Sequence, residues 1–302
     1  MEQLDRLGWV AGFSFESHGA RIGIRVTDSA ILDRFPPHLP PDWIPIVSST
    51  EAPIVDDLYS LVVGRPDPHG HFRHYHLLYQ ASGRVARELE LAAVLAALES
   101  SLHVSVAYRS RSDLFVHAGV VGWQGHAIVI PGRMMTGKST LVAALVRAGA
   151  TYYSDEYAVF DTEGWVHPYP KRLNLRGTDS TPGQHVPAGE LGERIGTEPL
   201  RVGLVVATEY QTDTVWRPEL LSPGHAALAL LDNTVVVRSR PQLALSILRK
   251  ALAGAFALKS QRGEAAYTAD ALLRYVEALP LPADPDQWHL QSTCGSPGQP
   301  AS

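Results

Sequence analysis

The residues of this sequence that most clearly indicate chemistry lie between Gly132 and Ser139. Their spacing, Gly-x4-Gly-Lys-Ser, matches the phosphate-loop (Walker A) pattern GxxxxGK[ST]. Glycines let backbone N–H groups turn toward an anion, and a helix that begins near Lys138 adds its positive end. Lysine is rare in this chain, with four among 26 basic residues, which argues against a coincidental match. We therefore predict a nucleotide-phosphate site that consists of Gly132, Arg133, Met134, Met135, Thr136, Gly137, Lys138, Ser139 and Thr140.

Within this predicted loop, two side chains have distinct expected roles. Lys138 is expected to contact the outer phosphates of a nucleotide, and the Ser139 hydroxyl to bind Mg²⁺. The alternative is a glycine-rich turn between a strand and a helix that binds nothing, but such a turn has no use for this lysine and serine.

An acidic pair, Asp155 and Glu156, follows Ser139 by 16 and 17 residues, which is about one helix and one strand later. This chain path can return two carboxylates to the phosphate site, where one would hold Mg²⁺ and the other would accept a proton from an attacking hydroxyl or water. An isolated Asp-Glu pair is more often a solvated turn. Its position after the phosphate loop favours the functional interpretation.

His117, Arg172 and Arg176 are weaker candidates. His117 lies in an apolar segment one strand before the loop, where a single histidine is more often a buried core residue. Phosphoryl transfer requires cations beyond Lys138 and Mg²⁺, and the two arginines could supply them. The alternative for both arginines is a solvent-exposed basic loop.

The elements around these residues follow from the apolar pattern and the turn residues. A hairpin of two strands is expected before the loop, an apolar helix that Gly149 ends is expected after it, and two short strands are expected on either side of the acidic pair. The expected ranges are Leu114–Val121, His126–Ile130, Thr140–Ala148, Thr151–Ser154 and Tyr157–Asp161.

Elsewhere, the pattern predicts further helices and strands. The expected helices are Arg87–Val106, Pro241–Leu258 and Ala269–Leu279, and the expected strands include Val202–Ala207 and Val235–Val237. Together these elements predict an α/β fold, with a mixed sheet around the phosphate loop and a small N-terminal α/β unit. The predicted division is an N-terminal unit at 1–86, a domain with the phosphate loop at 87–285 and a flexible tail at 286–302.

Composition excludes several classes of protein. The 302 residues have a net charge of −5, which argues against a broad basic surface for nucleic acid. The single cysteine, Cys294, allows no intramolecular disulfide and no cysteine-based zinc site. Apolar runs such as Ala92–Leu98 are far shorter than the ~18–20 residues of a membrane span. We expect a cytoplasmic protein that binds neither nucleic acid nor membrane.

The order and spacing of four segments resemble the HPr kinase/phosphorylase superfamily. The four segments are Val116–Val120, Gly125–Ile130, Gly132–Ser139 and Asp155–Glu156. Arg172–Gly177 is similar in position to the basic signature of that family. Tyr152–Tyr157 and Val166–Pro170 look like an HPr-kinase-related branch other than the standard sugar-control enzyme.

The resemblance implies a phosphate loop of the HPr-kinase/PEP-carboxykinase-like type and ATP-dependent phosphorylation of a hydroxyl. In the type enzyme that hydroxyl belongs to a protein serine. It implies that Asp155 accepts the proton, that Ser139 and Glu156 hold Mg²⁺, and that His117 lies near the transferred phosphoryl group. Arg176 is expected among the catalytic residues with Asp155, His117 and Lys138. The family forms hexamers, which leaves a homo-oligomer open.

The acceptor is not specified by the sequence, and other functions remain open. The main alternative is a nucleotide-binding regulatory switch or ATPase without a dedicated acceptor. A kinase for a small-molecule alcohol is a second alternative. A weaker one is a metal-dependent hydrolase that uses His69, His71, His74 and His76.

Overall fold

The computed structural model describes residues 2–47, 54–64, 74–132, 136–171, 173–175, 184–186 and 194–281. It divides the chain into two compact units, Met1–Ser112 and Asp113–Ser302. Both units combine helices with mixed sheets, so the predicted α/β class is confirmed. The predicted tail at 286–302 lies outside the described residues.

The first unit is built on a six-stranded sheet with the order β3-β1-β2-β4-β5-β6. β2 and β4 are parallel, and the other neighbouring pairs are antiparallel. The strands are β1 (Ala11–Ser17), β2 (Ala20–Val26), β3 (Ile44–Pro45), β4 (Asp57–Val62), β5 (His76–Gln80) and β6 (Gly83–Glu88). A short helix, α1 (Glu2–Asp5), precedes them, and two 3₁₀ helices, Ser29–Arg34 and Pro36–His38, follow β2.

The long helix α2 (Leu91–Arg109) packs against β2, β5 and β6 of this first sheet. The predicted boundary at 86/87 placed this helix in the second domain, but its packing places it in the first unit, which extends to Ser112. In the described part of the chain it is also the one helix with the length and mean hydropathy, 1.5, of a membrane span. The side chains of Val94, Leu98 and Leu102 are fully buried, so packing on the sheet accounts for this apolar character.

The second unit is built on an eight-stranded sheet. Its main order is β11-β10-β7-β8-β14-β16-β15, and β9 also pairs with β7. The strands are β7 (Leu114–Trp123), β8 (His126–Pro131), β9 (Thr151–Ser154), β10 (Tyr157–Phe160), β11 (Val166–His167), β14 (Arg201–Tyr210), β15 (Glu219–Leu220) and β16 (Phe256–Arg262). A separate two-stranded sheet contains β12 (Leu173–Leu175) and β13 (Gln184–Val186).

Helices cover both faces of this second sheet. They are α3 (Lys138–Arg147), α4 (Pro223–Leu231), α5 (Pro241–Ala251) and α6 (Ala265–Glu277). Val129 packs in one apolar core with Leu230 of α4 and Ile247 of α5. Its neighbour Ile130 packs in a second core on the opposite face, together with α3 and α6. This alternation follows from the two-residue period of a strand, because successive side chains point to opposite faces.

The prediction was accurate around the loop and wrong in two places later in the chain. The β7–β8 hairpin, α3 and the short strands on either side of the acidic pair are confirmed. The helix predicted at Pro241–Leu258 ends at Ala251, and Phe256–Arg262 is instead a strand parallel to β14. Val235–Val237 forms a turn, not the predicted strand.

The error at β16 has a simple physical cause. The predicted helix extended three residues into β16, because Phe256, Ala257 and Leu258 continue the apolar pattern of α5 and so short an apolar run fits a helix or a strand equally well. Gly254, at φ 79°, provides the turn that separates α5 from β16.

Candidate functional site

The candidate site is centred on the turn between β8 and α3. Gly137 has φ 81° and precedes the first residue of α3, so the left-handed conformation there requires glycine. A Cβ at Gly132 would lie 2.8 Å from the Thr136 hydroxyl oxygen, so a side chain at that position would require the Thr136 side chain to move. This backbone brings the end of a strand and the N-terminus of a helix together, an arrangement suited to an anion. Arg133, Met134 and Met135 lie outside the described residues.

Lys138 is the first residue of α3, and its side chain folds back over the turn. Its Nζ donates a hydrogen bond to the carbonyl oxygen of Gly132 at 2.5 Å. Burial lowers the pKa of the Lys138 ammonium, while the negative charges of Asp155 and Glu156 oppose that shift. The structure therefore holds a partly desolvated cation at the turn, where Coulomb interactions are stronger than in water.

Ser139 and Asp155 are brought together although 15 residues separate them in the printed sequence. The Ser139 hydroxyl donates a hydrogen bond to the Asp155 carboxylate. Asp155 is 8% exposed, and the Tyr152 hydroxyl donates a second bond to its Oδ1 at 3.3 Å. Burial raises the pKa of Asp155 to about 6, although the hydrogen bond from Ser139 opposes the shift. Thr140, the next residue along α3, is exposed.

The acidic pair occupies the break between β9 and β10, which pair with successive parts of β7. The Ser154 hydroxyl oxygen fixes this break, because it accepts hydrogen bonds from the backbone N–H of Glu156 (3.2 Å) and of Tyr157 (3.1 Å). Serine at this position therefore stabilises the local turn through side-chain-to-backbone bonds. The resulting conformation presents the two carboxylates to different partners.

Glu156 contacts Lys171 and not the Ser139 hydroxyl. The Lys171 Nζ donates to Glu156 Oε2 at 2.5 Å, and both side chains are partly buried. Sequence analysis did not assign Lys171 a role, and its only signal was the scarcity of lysine in the chain. The structure thus places Asp155 beside the hydroxyl predicted to bind Mg²⁺ and gives the other carboxylate a cationic neighbour.

His117 lies on β7, opposite Tyr157 of β10. The two rings have centroids 4.7 Å apart. Burial lowers the pKa of His117, Glu156 opposes the shift and Lys138 adds to the lowering. Burial therefore favours the neutral form of the ring. The backbone of His117 also connects two parts of the site, since its carbonyl oxygen accepts the Gly132 N–H at 3.2 Å.

Arg262, at the end of β16, is a further cation at the turn that sequence analysis missed. Its Nη2 donates to the Gly137 carbonyl oxygen at 2.8 Å and its Nη1 to the Gly263 carbonyl oxygen at 3.1 Å. The residue is 2% exposed, and burial lowers the pKa of its guanidinium. Its guanidinium carbon lies 5.4 Å from the centre of the Tyr210 ring. Sequence analysis did not single out Arg262, because the predicted helix ended at Leu258 and no element was predicted from Lys259 to Arg262.

The described part of the chain leaves most of the other predicted residues untested. Arg172 and Arg176 lie outside the described residues, as do His69 and His71. His76 belongs to the first unit, where its Nδ1 accepts the Gly64 N–H at 3.2 Å. Among the residues that the structure describes, no three histidine, cysteine, aspartate or glutamate side chains gather as a metal site.

Comparison with known proteins adds no assignment. No protein-family model matches the chain, and a search of curated proteins also gives no match. A function for this chain therefore has to be inferred from the residues around the β8–α3 turn.

Proposed function

We propose that this chain is an HPr-kinase-like phosphotransferase that uses ATP and Mg²⁺ to phosphorylate a hydroxyl group. The acceptor would be a serine of a protein or peptide, or a small-molecule alcohol. The observation that supports this most directly is the hydrogen bond from Ser139 to the buried Asp155, beside Lys138 and the first turn of α3. A hydroxyl, a carboxylate, an ammonium group and a helix N-terminus are the groups that hold a metal-bound triphosphate.

The antiparallel pairing of β7 with β8 supports a phosphate loop of the HPr-kinase/PEP-carboxykinase-like type. β7 pairs antiparallel with β8, whereas β14 on the other side is parallel to it. A mixed environment of this kind differs from the mostly parallel sheet of Ras-like proteins. It agrees with the hairpin-then-loop order on which the resemblance to HPr kinases depends.

The chemistry of the donor groups fits magnesium. Mg²⁺ is usually bound by one or two carboxylates, with phosphate oxygens and water completing an octahedron. Ser139 and one member of the acidic pair would supply such oxygen ligands. Mg²⁺, when bound, would neutralise charge on the phosphates. We assign Glu156 as the second metal ligand. To bind Mg²⁺, its carboxylate would have to leave its ion pair with Lys171.

Asp155 is our candidate for the proton acceptor. Burial raises the pKa of this carboxyl group to about 6. The group is therefore a stronger base than an exposed carboxylate and is still ionised at neutral pH. The acceptor oxygen would bond to the γ-phosphorus, the bond from that phosphorus to the β–γ bridging oxygen would break, and ADP would leave. The proton of the acceptor hydroxyl would pass to Asp155. Lys138 would stabilise charge on the phosphoryl oxygens, and neutral His117 could donate one hydrogen bond there.

Transfer of label from γ-labelled ATP tests this proposal. The full chain would be incubated with Mg²⁺, labelled ATP and either serine peptides, a cell extract or a panel of alcohols. We expect label on an acceptor and ADP release that depends on it. Nucleotide binding with no acceptor-dependent ADP release would instead support the regulatory switch or ATPase. Absence of nucleotide binding would reject both.

A further inference from the structure

Two of the four lysines of this chain act on the acidic pair. The first is Lys138, whose ammonium group is influenced by the negative charges of both Asp155 and Glu156. The second is Lys171, whose Nζ donates to Glu156 Oε2 and whose positive charge also acts on Asp155. The proposed function gives Lys138 a role in binding phosphate, and it leaves Lys171 without one.

The backbone around Lys171 is anchored to β9, the strand that leads into the acidic pair. The Tyr152 hydroxyl donates to the Lys171 carbonyl oxygen at 2.9 Å, and Tyr152 is fully buried. Two residues before Lys171, the Tyr169 N–H donates to the Tyr153 carbonyl oxygen at 3.1 Å. Tyr169 is also fully buried, and its ring packs edge-on against the Tyr157 ring, with the centroids 5.9 Å apart. These contacts fix the position of Lys171, although it belongs to no helix or strand.

The Lys171 ammonium group has the donors and the exposure that a ligand needs. An ammonium group has three N–H donors, and among the described residues its hydrogen-bond partner is Glu156. The side chain of Lys171 is 18% exposed and that of Glu156 is 29% exposed, so solvent reaches both. Arg262 differs, because it is 2% exposed and donates to two backbone carbonyl oxygens. Lys171 is therefore a cation that an anionic ligand can recruit.

The role that we assign to Glu156 changes the partner of Lys171. When the Glu156 carboxylate binds Mg²⁺, it leaves the Lys171 ammonium group without its counter-ion, and a partly buried cation without a partner is unfavourable. Mg·ATP still has a net negative charge, part of it on the γ-phosphoryl oxygens. Phosphoryl transfer needs cations at these oxygens in addition to the metal.

We infer that Lys171 contacts the γ-phosphoryl group of the bound nucleotide and that Glu156 holds its ammonium group in place until then, an inference that rests on the proposed function. Its effect on affinity should be smaller than that of Lys138. Lys171 exchanges one anionic partner for another, whereas Lys138 gives up a neutral carbonyl oxygen of Gly132. Lys171 is on this assignment a second lysine that binds phosphate, 33 residues after the first.

The test compares Mg·ATP with Mg·ADP, which lacks the γ-phosphate, by calorimetry on the full chain. Lys171→Gln removes the positive charge but keeps an N–H donor for Glu156, so the break between β9 and β10 should keep its conformation. This variant should weaken Mg·ATP binding by about tenfold, the effect of losing one charge-assisted hydrogen bond. Its affinity for Mg·ADP should stay within about twofold of the wild type. Lys171→Arg keeps the charge and should bind Mg·ATP within about threefold of the wild type.

Lys250→Gln is the matched control, because Lys250 also forms a partly exposed ion pair, with Glu163 at 3.0 Å. It should leave both affinities unchanged. Both nucleotides are measured on the same variant, so a general loss of stability would lower the two affinities together and would not imitate the expected result.

Three results would overturn the assignment of Lys171 and leave the proposed function intact. Unchanged Mg·ATP affinity in Lys171→Gln would mean that Lys171 does not bind the phosphoryl group. Equal losses for Mg·ATP and Mg·ADP would mean that it acts only through Glu156. A loss in Lys171→Arg as large as in Lys171→Gln would mean that the positive charge is not what binds. Failure of the wild-type chain to bind either nucleotide would instead overturn the proposed function and the inference with it.

Discussion

In the first unit, a fully buried tyrosine forms a closed hydrogen-bond network. The Tyr59 hydroxyl, on β4, donates to the Ser101 carbonyl oxygen at 2.9 Å and contacts the Ser105 hydroxyl at 2.8 Å, both on α2. Gln80 of β5 donates to the same Ser105 oxygen at 3.1 Å. In the second unit, Asp155 and Arg262 are buried and Lys138 is partly buried near the β8–α3 turn, where Lys138 and Arg262 each donate to a backbone carbonyl oxygen of the turn.

The two regions differ in how their buried polar groups are satisfied, and this difference indicates a structural role for the first and a functional role for the second. The network of the first unit fastens α2 to its sheet, and its polar groups satisfy one another. The second unit buries Asp155 and Arg262 and partly buries Lys138, and removing charged groups from water costs stability. Buried charges with perturbed pKa values in one place are typical of a functional site. The following substitutions, from the largest expected effect to the smallest, test whether that contrast is real.

Lys138→Ala should have the largest effect on nucleotide binding. It removes a charge-assisted contact to phosphate, which is worth about 2–4 kcal/mol, so the affinity for Mg·ATP should fall about 30- to 1,000-fold. Lys250→Ala is the control, because Lys250 forms a partly exposed ion pair with Glu163 at 3.0 Å, away from the turn. Calorimetric titration with Mg·ATP measures both. If Lys138→Ala binds Mg·ATP as tightly as the wild type does, the phosphate-loop interpretation is rejected.

Asp155→Asn should abolish most phosphoryl transfer while it preserves binding. The amide is nearly isosteric but does not accept the proton, so transfer should fall by about 10² or more. Mg·ATP affinity should stay within about threefold. The matched variant, Glu156→Gln, should instead raise the Mg²⁺ concentration needed for nucleotide binding.

Both variants would be compared by acceptor labelling and by ATP titration over a range of Mg²⁺ concentrations. If Asp155→Asn raises the Mg²⁺ requirement and Glu156→Gln blocks transfer, the two roles are exchanged. That result would agree with the contact between Ser139 and Asp155 and would replace our assignment.

Arg262→Met should weaken Mg·ATP binding by about tenfold. The guanidinium joins the carbonyl oxygens of Gly137 and Gly263, so its loss would loosen the N-terminus of α3 as well as remove a cation. Arg201→Met provides the control. Arg201 lies over the Trp165 ring at 4.0 Å and donates to the Glu163 carbonyl oxygen at 2.7 Å, away from the turn. Equal losses of affinity in the two variants would mean that Arg262 acts only on general stability.

Tyr59→Phe should change stability without changing nucleotide binding. It removes the buried hydroxyl and leaves Ser105 with one partner fewer, which should lower the free energy of unfolding by about 1–2 kcal/mol. Urea denaturation monitored by circular dichroism measures the loss, and Mg·ATP titration provides the second readout. A drop in ATP affinity beyond about threefold would contradict the division into a structural and a functional region.

Much of the candidate site could be predicted because its signals are local. Gly137, Lys138 and Ser139 are adjacent in sequence, and the apolar spacing after them predicts the helix that they begin. The break at Asp155–Glu156 was also predictable, because two short apolar strands flank it.

By itself, the sequence therefore determined the strand, turn and helix that present Lys138 and Ser139, since these depend on residue types a few positions apart. Only the tertiary structure decided which side chains meet them. Arg262 reaches Gly137 across 125 residues of chain, and Lys171 pairs with Glu156 across 15. Such contacts depend on the order of strands in the sheet, and β16 has only three apolar residues at its start, Phe256–Leu258, which are too few to distinguish a strand from the end of a helix. The order of strands is set by packing over the whole unit, which no local pattern specifies.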